Sequence, residues 1–296
     1  MTKYNSRKRR NIIIITAIVC IIAFAVILYS IQNPFWGGSN QGFDTSQDFI
    51  EFTDVGQGDS AIIYSNGYCA VIDVGLPNTA AALSEDLGEY GIKTIDALII
   101  SHLHSDHIGG LPQIAERFEI ENLISPEITD KSILAAKNGK DIAVKGGAKY
   151  YTAEQGMTFN IGEFEITLLS DFADKNNENN NSIFVMAEIN GIKTLFTGDA
   201  ETKAEKWLLK ENLNIDCDIL KVGHHGSNTS SSKAFLEETT PEYAVISVGE
   251  NNIYHHPHGV TLKALKSIGA KIYRTDKGGD ITFSFNGNNP KIIEEK

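Results

Sequence analysis

The chain has 296 residues, of which 42% are hydrophobic, so it can bury a sizeable core and disorder is not the default. Five of its 26 basic residues lie in the first ten positions, and the other 21 stand against 38 acidic residues, a formal charge of −17. A surface this acidic repels phosphate backbones, which argues against tight nucleic-acid binding but not against metal-assisted cleavage of a phosphodiester. The cysteines Cys20, Cys69 and Cys217 do not make a disulfide framework, although a Cys69–Cys217 bridge stays open.

The N-terminal part predicts a membrane anchor. Residues 12–31 are uncharged and, at about 1.5 Å per residue, long enough to cross a hydrocarbon core of about 30 Å. The preceding basic cluster favours a cytoplasmic N-terminus. We therefore predict a basic cytoplasmic tail over 1–11, a single transmembrane anchor over 12–32, a flexible linker over 33–47 and an extracytoplasmic domain over 48–296. A cleaved signal peptide and a secreted domain are the open alternative.

The folded domain alternates strands and helices in two sheet-rich halves. In the first half we predict strands over 48–55, 60–65, 68–74, 97–100 and 122–125, and helices over 78–90, 111–118 and 129–138, with several short strands over 142–169. After a polar loop over 171–181, we predict strands over 182–189, 194–197, 218–222, 243–248, 271–274 and 281–285, and helices over 201–211 and 261–269. This order predicts two packed sheets flanked by helices, with polar groups gathered along one edge.

The most informative stretch is a histidine-rich loop at 101–110 that follows the apolar run 97–100. It holds His102, His104, Asp106 and His107 within six residues. Imidazole and carboxylate groups suit zinc and related divalent metals, and such a loop predicts a metal site. Alternate residues point to one side, so His102 and His104 can serve one ion while Asp106 and His107 serve a neighbouring one.

Three further positions can complete the metal shell. Asp199 follows an apolar strand and could bridge two ions, although it could equally cap the helix predicted at 201–211. The pair His224 and His225 ends another strand, and His258 closes the third histidine group. His255 and His256 are expected to be bystanders.

Several motifs resemble the metallo-β-lactamase superfamily and, within it, the ComEC-type hydrolase domains of bacterial DNA-uptake channels. They lie at 52–60, 71–75, 101–110, 196–200, 221–227 and 273–276. The resemblance implies an α+β fold, an αββα sandwich preceded here by a single transmembrane helix, and one or two divalent metal ions, Zn²⁺ or Mn²⁺. It does not imply a transport channel. The superfamily's third histidine is missing between His107 and Asp199, and the stretch 180–182, Asn-Asn-Ser, occupies the matching place.

The resemblance also implies a hydrolytic mechanism. We assign His102, His104, Asp106, His107, Asp199, His224 and His258 to the metals, and Asp106 and His225 to catalysis. One of His224 and His225 would bind metal and the other would donate a proton, and the sequence leaves the opposite assignment open. The expected substrate is a phosphodiester, with single-stranded DNA as one candidate. Alternatives are a cell-envelope phosphodiesterase similar to phosphorylcholine esterases, a lactonase or β-lactamase, or a non-catalytic surface binding module.

Overall fold

The fold is a sandwich of two sheets, seen in a computed structural model that describes residues 47–170, 172–174, 176–287 and 290–294. Within these ranges no helix is both long and apolar enough to cross a membrane. The predicted anchor over 12–32 lies outside the described residues and stays a prediction. Cys69 and Cys217 are buried free thiols, so the bridge between them does not form.

Among the described residues, the first sheet has eight strands: β1 (Phe49–Phe52), β2 (Ser60–Ser65), β3 (Tyr68–Val74), β5 (Ala97–Ile99), β7 (Asn122–Ser125), β8 (Lys149–Thr152), β16 (Ile281–Ser284) and β17 (Lys291–Glu294). Their order is β17-β16-β1-β2-β3-β5-β7-β8, with β3, β5, β7 and β8 parallel. A separate two-stranded sheet pairs β4 (Thr94–Ile95) with β6 (Glu119–Ile120).

The second sheet has seven strands in the order β15-β14-β13-β12-β11-β10-β9, with β12 to β15 parallel. They are β9 (Thr158–Ile161), β10 (Phe164–Leu168), β11 (Val185–Ile189), β12 (Ile192–Phe196), β13 (Ile219–Lys221), β14 (Tyr243–Ile246) and β15 (Lys271–Arg274). The helices are α1 (Ala80–Glu89), α2 (Ser105–Ile108), α3 (Leu111–Arg117), α4 (Leu134–Gly146), α5 (Thr202–Leu208), α6 (Lys233–Thr239), α7 (Gly259–Ser267) and α8 (Thr275–Gly278).

The period-2 alternation of side chains explains how each strand serves two layers. On β12, Phe196 joins the core between the sheets, whereas the adjacent Leu195 packs with the helices on the outer face. Ile219 and Leu220 on β13 divide in the same way. Both faces of the second sheet are therefore buried, as expected for parallel strands flanked by helices. The predicted sandwich is confirmed.

Two helix predictions differ from the structure. The helix predicted at 129–138 is α4, which begins at Leu134 and continues to Gly146, into the region predicted as strands. Its glycines weaken the helical signal, but a side chain at Gly139 would collide with Leu111, so a small residue is needed for α4 to pack on α3. The helix predicted at 201–211 begins at Thr202 with Glu201 as its N-cap, so Asp199 is not the cap.

A partly buried acidic group on α1, Asp86, gives a stability prediction. Burial, followed by the negative charges of Glu51 and Asp280, raises the pKa of Asp86 from 3.8 to about 9. The unfolded chain ionises Asp86 near its ordinary pKa and the folded chain does not, so this group lowers stability progressively as pH rises from about 4 to about 9.

We expect Asp86→Asn to raise the melting temperature at pH 8 and to leave it nearly unchanged at pH 4.5. Removing a free-energy cost of about 2 kcal/mol raises the melting temperature of a domain of this size by about 4–8 °C. Thermal unfolding at the two pH values measures the effect, with Glu85→Gln on the exposed face of α1 as the control. An equal shift at both pH values would contradict the ionisation argument.

Candidate metal centre

The candidate ligands lie just beyond the carboxyl ends of parallel strands from both sheets. Strand β5 leads into the histidine-rich loop, β12 into Asp199, and β13 into His224 and His225. Because the two sheets present these ends to the same edge of the sandwich, segments far apart in sequence meet there. This is the edge at which parallel α/β sheets commonly bind ligands.

Four side chains form the first donor group, called here the quartet: Asp106, His107, Asp199 and His225. One ligand atom from each lies within 4.8 Å of the others. His107 Nε2 is 3.3 Å from Asp199 Oδ1, and His225 Nε2 is 3.3 Å from Asp106 Oδ2. His225 Nε2 also lies 3.6 Å from Asp199 Oδ1. The quartet therefore points two nitrogens and two carboxylates at one small volume.

A second donor group, the trio, consists of His102, His104 and Asp199. His102 is fully buried, and its Nε2 lies 3.0 Å from His104 Nδ1. Asp199 belongs to both groups, so its carboxylate is placed to serve two adjacent ions.

The donor atoms fit a divalent cation. His107 Nε2 and Asp199 Oδ1 are both buried, yet neither has a hydrogen-bond partner. Buried polar atoms in native proteins are normally satisfied, so these two lone-pair donors, which face each other, are suited to bind a common cation. Imidazole nitrogen and carboxylate oxygen are the ligands that zinc and neighbouring transition metals accept.

The protonation of the quartet supports the same conclusion. Burial alone would lower the pKa of His107, but Asp199 and Asp73 raise it well above its usual value. Burial alone would raise the pKa of Asp199, but His225 and His107 hold it well below its usual value. The carboxylates therefore favour positive charge in this cluster, and a bound divalent cation would supply it.

Asp73 fixes the orientation of the buried His107 ring. Its carboxylate accepts hydrogen bonds from the Ser101 backbone N–H and the Ser101 hydroxyl, both at 2.7 Å. His107 Nδ1 lies 2.8 Å from Asp73 Oδ2, so this nitrogen carries the proton and Nε2 is left for the metal. Asp73 lies within the motif at 71–75, and its role could not be predicted from the sequence.

The two adjacent histidines occupy different environments. His225, assigned above to proton transfer, places Nε2 in the quartet. His224, assigned to the metal, belongs to neither donor group; its Nε2 is 3.7 Å from Asp199 Oδ2 and its Nδ1 3.4 Å from Glu201 Oε1. The geometry thus favours the reverse of the assignment made from sequence. Both residues adopt left-handed backbone conformations, which accounts for the sharp divergence of their side chains.

His258 and His256 also differ from expectation. His258, predicted to bind metal, lies outside both donor groups among the described residues; its Nδ1 accepts a hydrogen bond from the Asn228 backbone N–H. His256, expected to be a bystander, lines the pocket over the metal site, and its ring centre is 5.5 Å from that of His224. The exposed His255 has no place in the pocket.

The two asparagines in the place of the missing histidine, Asn180 and Asn181, use their side-chain oxygens to accept backbone hydrogen bonds. Asn180 Oδ1 accepts hydrogen bonds from the backbone N–H groups of Glu201 and Ala204, and Asn181 Oδ1 accepts one from Asp174. The preceding Asn179 is the one that faces the site, with its Oδ1 buried and without a hydrogen-bond partner. The short 3₁₀ turn Glu178–Asn181 rotates successive side chains apart, so Asn179 turns towards the site while Asn180 and Asn181 turn away.

A pocket of about 370 Å³ opens over the donor groups. Its lining combines site residues with side chains from three loops: Gln57, His104, Ser105, Asp106, Asn179, Asp199, His224, His225, Tyr254 and His256. None of these is a lysine or an arginine. The pocket therefore gives access to the metal site without supplying a permanent positive charge of its own.

Gly198 provides a test of how tightly this edge is built. Its φ is +49°, and a Cβ there would lie 2.8 Å from the Ser101 side chain. We expect Gly198→Ala to destabilise the domain by about 2–3 kcal/mol, since strain and the collision add. Chemical unfolding measures the loss, with Gly191→Ala as a control that also has positive φ but open space. Equal losses in the two variants would show that the Ser101 contact is unimportant.

The sandwich and its histidine and aspartate groups define the class of the protein. The chain belongs to the Metallo-beta-lactamase superfamily, whose sequence profile matches residues 53–250. This is a family of metal-dependent hydrolases. The predicted family resemblance is confirmed.

Two relatives are similar in sequence to most of this chain. The chain is 28% identical over 303 aligned residues to ComE operon protein 3 of Bacillus subtilis (strain 168), covering 94% of this chain and 37% of that protein. It is 33% identical over 233 residues to Competence protein ComA of Neisseria gonorrhoeae, covering 78% of this chain and 31% of the relative. The chain thus matches about a third of the length of these relatives. Among solved structures, YhfI from Bacillus subtilis shares the fold with a TM-score of 0.56 at 13% identity, covering 80% of this chain and all of that one.

Proposed function

We propose that this domain is a metal-dependent phosphodiesterase that cleaves nucleic-acid strands, with single-stranded DNA as the first substrate to test. The observation that carries the proposal is that the quartet and the trio share Asp199 beneath an open pocket. Paired divalent ions are a common arrangement in nucleases and phosphatases. One relative is a competence protein by name, which favours DNA over other phosphodiesters.

The proposed roles follow the geometry. Asp106, His107, Asp199 and His225 would hold one ion, and His102, His104 and Asp199 a second. Ions held there would supply the Lewis acidity that polarises a phosphoryl oxygen towards attack by water. We assign proton transfer to His224, which lines the pocket and keeps its side chain 21% exposed.

A second candidate follows from the lining of the pocket. The lining has no lysine or arginine, and the chain is strongly acidic. Both features suit a phosphodiester whose other substituent is neutral or cationic better than a polyanion, since a polyanion gains no attraction there. A cell-envelope phosphodiester with a cationic head group is therefore the alternative substrate class.

One experiment separates the two. The purified chain is stripped of metal, reloaded with Mn²⁺ or Zn²⁺, and incubated with labelled single-stranded DNA or with p-nitrophenyl phosphorylcholine. We expect DNA cleavage that needs metal and is lost in Asp106→Ala. Release of nitrophenol without DNA cleavage would favour the alternative. Neither reaction with any metal would leave the phosphodiesterase proposal without support.

We also propose that the chain is held at the cell membrane by residues 12–32, with the domain outside the cytoplasm. The proposal is supported by the uncharged stretch and the basic residues before it. Membrane fractionation and protease accessibility of intact cells test it. A chain released from the membrane in a shortened form would instead support signal cleavage.

A further inference from the structure

A buried ion pair lies directly behind the quartet. Lys221 Nζ donates a hydrogen bond to Asp59 Oδ2 at 2.6 Å, and both residues are almost fully buried, at 3% and 4% exposure. Lys221 ends β13 in the second sheet, and Asp59 immediately precedes β2 in the first. The pair therefore joins the two sheets at the edge that carries the metal site.

Asp59 contacts two members of the quartet. Its Oδ1 lies 3.2 Å from His225 Nδ1, a nitrogen that also lies 2.9 Å from the carbonyl oxygen of Ser247. The Ser247 carbonyl accepts the Nδ1 proton, which leaves Nε2 free to face the metal, and the Asp59 carboxylate adds a negative charge beside the same ring. The Asp59 backbone N–H also donates to the carbonyl oxygen of Asp106 at 3.1 Å. One residue thus holds both His225 and Asp106.

The preceding Gly58 shows how close this approach is. A Cβ at Gly58 would lie 2.6 Å from the Asp106 carbonyl oxygen, so only glycine lets the Asp59 segment reach the metal loop. The motif at 52–60 therefore places Asp59 beside the metal loop. The function proposed above gives neither Asp59 nor Lys221 a role.

Stability alone is a weak explanation for such a pair. Removing two charges from water is expensive, and buried ion pairs can often be replaced by apolar residues with no loss of stability. The Asp59 carboxylate could also remain ionised at this depth without Lys221 only at a large cost in free energy. Lys221 therefore allows the Asp59 carboxylate to stay ionised in the protein interior beside His225.

We propose that Asp59, with Lys221 as its counter-charge, is a positioning residue that sets the affinity and geometry of the metal held by the quartet. This inference rests on the proposed metal site, but it concerns metal binding and not the substrate. Carboxylates that orient a ligating histidine typically change metal affinity about 10–100-fold when removed.

The test compares Asp59→Asn, Lys221→Met and the double variant in the full chain, with Co²⁺ as the probe. Competition with a chelator gives the affinity, and the visible absorption of bound Co²⁺ reports its geometry. We expect Asp59→Asn to bind Co²⁺ about 10–100-fold more weakly with an altered spectrum. Asp96→Asn is the control, because Asp96 accepts a backbone hydrogen bond from Cys69 away from the site and should leave Co²⁺ binding unchanged.

The double variant separates positioning from folding. Each single variant leaves one buried group without its partner and should lower the melting temperature, whereas the double variant restores a neutral pair and much of the stability. Its Co²⁺ affinity should nevertheless stay at least tenfold reduced. Wild-type Co²⁺ binding in either Asp59→Asn or the double variant would overturn the inference, and so would a double variant that cannot fold. Failure of the proposed function is distinct, since it would show as metal bound without phosphodiester cleavage.

Discussion

Replacing Asp199 by asparagine is expected to abolish hydrolysis and to remove metal from both donor groups. Asp199 is the residue that the quartet and the trio share, and its buried Oδ1 has no hydrogen-bond partner. Loss of a supporting residue around a metal typically lowers affinity about 10–100-fold, so loss of a shared ligand should exceed about 100-fold for each ion. Metal content after dialysis and kcat with Mn²⁺ measure the two effects.

A matched control for this variant is Glu205→Gln. Glu205 is also a buried carboxylate, but it accepts hydrogen bonds from the backbone N–H groups of Ser231 and Ser232. We expect it to lose some stability and keep its metal and activity. Full activity in Asp199→Asn, with the fold intact by circular dichroism, would show that the shared carboxylate is not a ligand.

The second large effect is expected from His225→Ala, compared with His104→Ala. His225 belongs to the four-donor quartet, whereas His104 belongs to the three-donor trio. His225→Ala should lose the more firmly held ion and about 1,000-fold or more in kcat, since removal of one electrostatic group at a reaction centre already lowers kcat by about 100–1,000-fold. His104→Ala should keep close to one ion per chain and measurable activity.

Metal stoichiometry by elemental analysis, taken with kcat for the same samples, tests this asymmetry. His224→Ala is the useful third variant, because it changes the neighbouring histidine without removing a member of either group. It should keep wild-type metal content while kcat falls. If His224→Ala lost metal and His225→Ala did not, the assignment made from sequence would be correct and the one drawn from the structure would be wrong.

The sequence predicted the sandwich well because its strong signals are periodic. The apolar strand Ala97–Ile99 and the strand Ile219–Lys221 both lead into polar clusters, and those ends meet as parallel topology requires. The helix within residues 129–146 was harder to predict, because Gly139 lowers the helix propensity of this segment. Close packing on Leu111 nevertheless requires a glycine at this position.

The sequence predicted which residue types form the site but not which side chains contact one another. Spacing identified His102, His104, Asp106 and His107, since short-range geometry places them in one loop. It could not order His224 and His225, because their left-handed backbone angles decide which ring turns inward. The roles of Asp59 and Lys221 were also out of reach, since their contact spans 162 positions and leaves no local pattern.

The members of the quartet are far apart in sequence, and this separation bears on when the folding chain can bind metal. Asp106 and His225 are 119 positions apart and come from different sheets. Contacts this remote must offset the entropy of closing a long loop, so we expect them to form late in folding. We therefore expect the domain to reach most of its folded structure before the quartet can bind an ion. We expect a metal-starved cell to hold a folded, inactive reservoir that gains activity as soon as the ion becomes available.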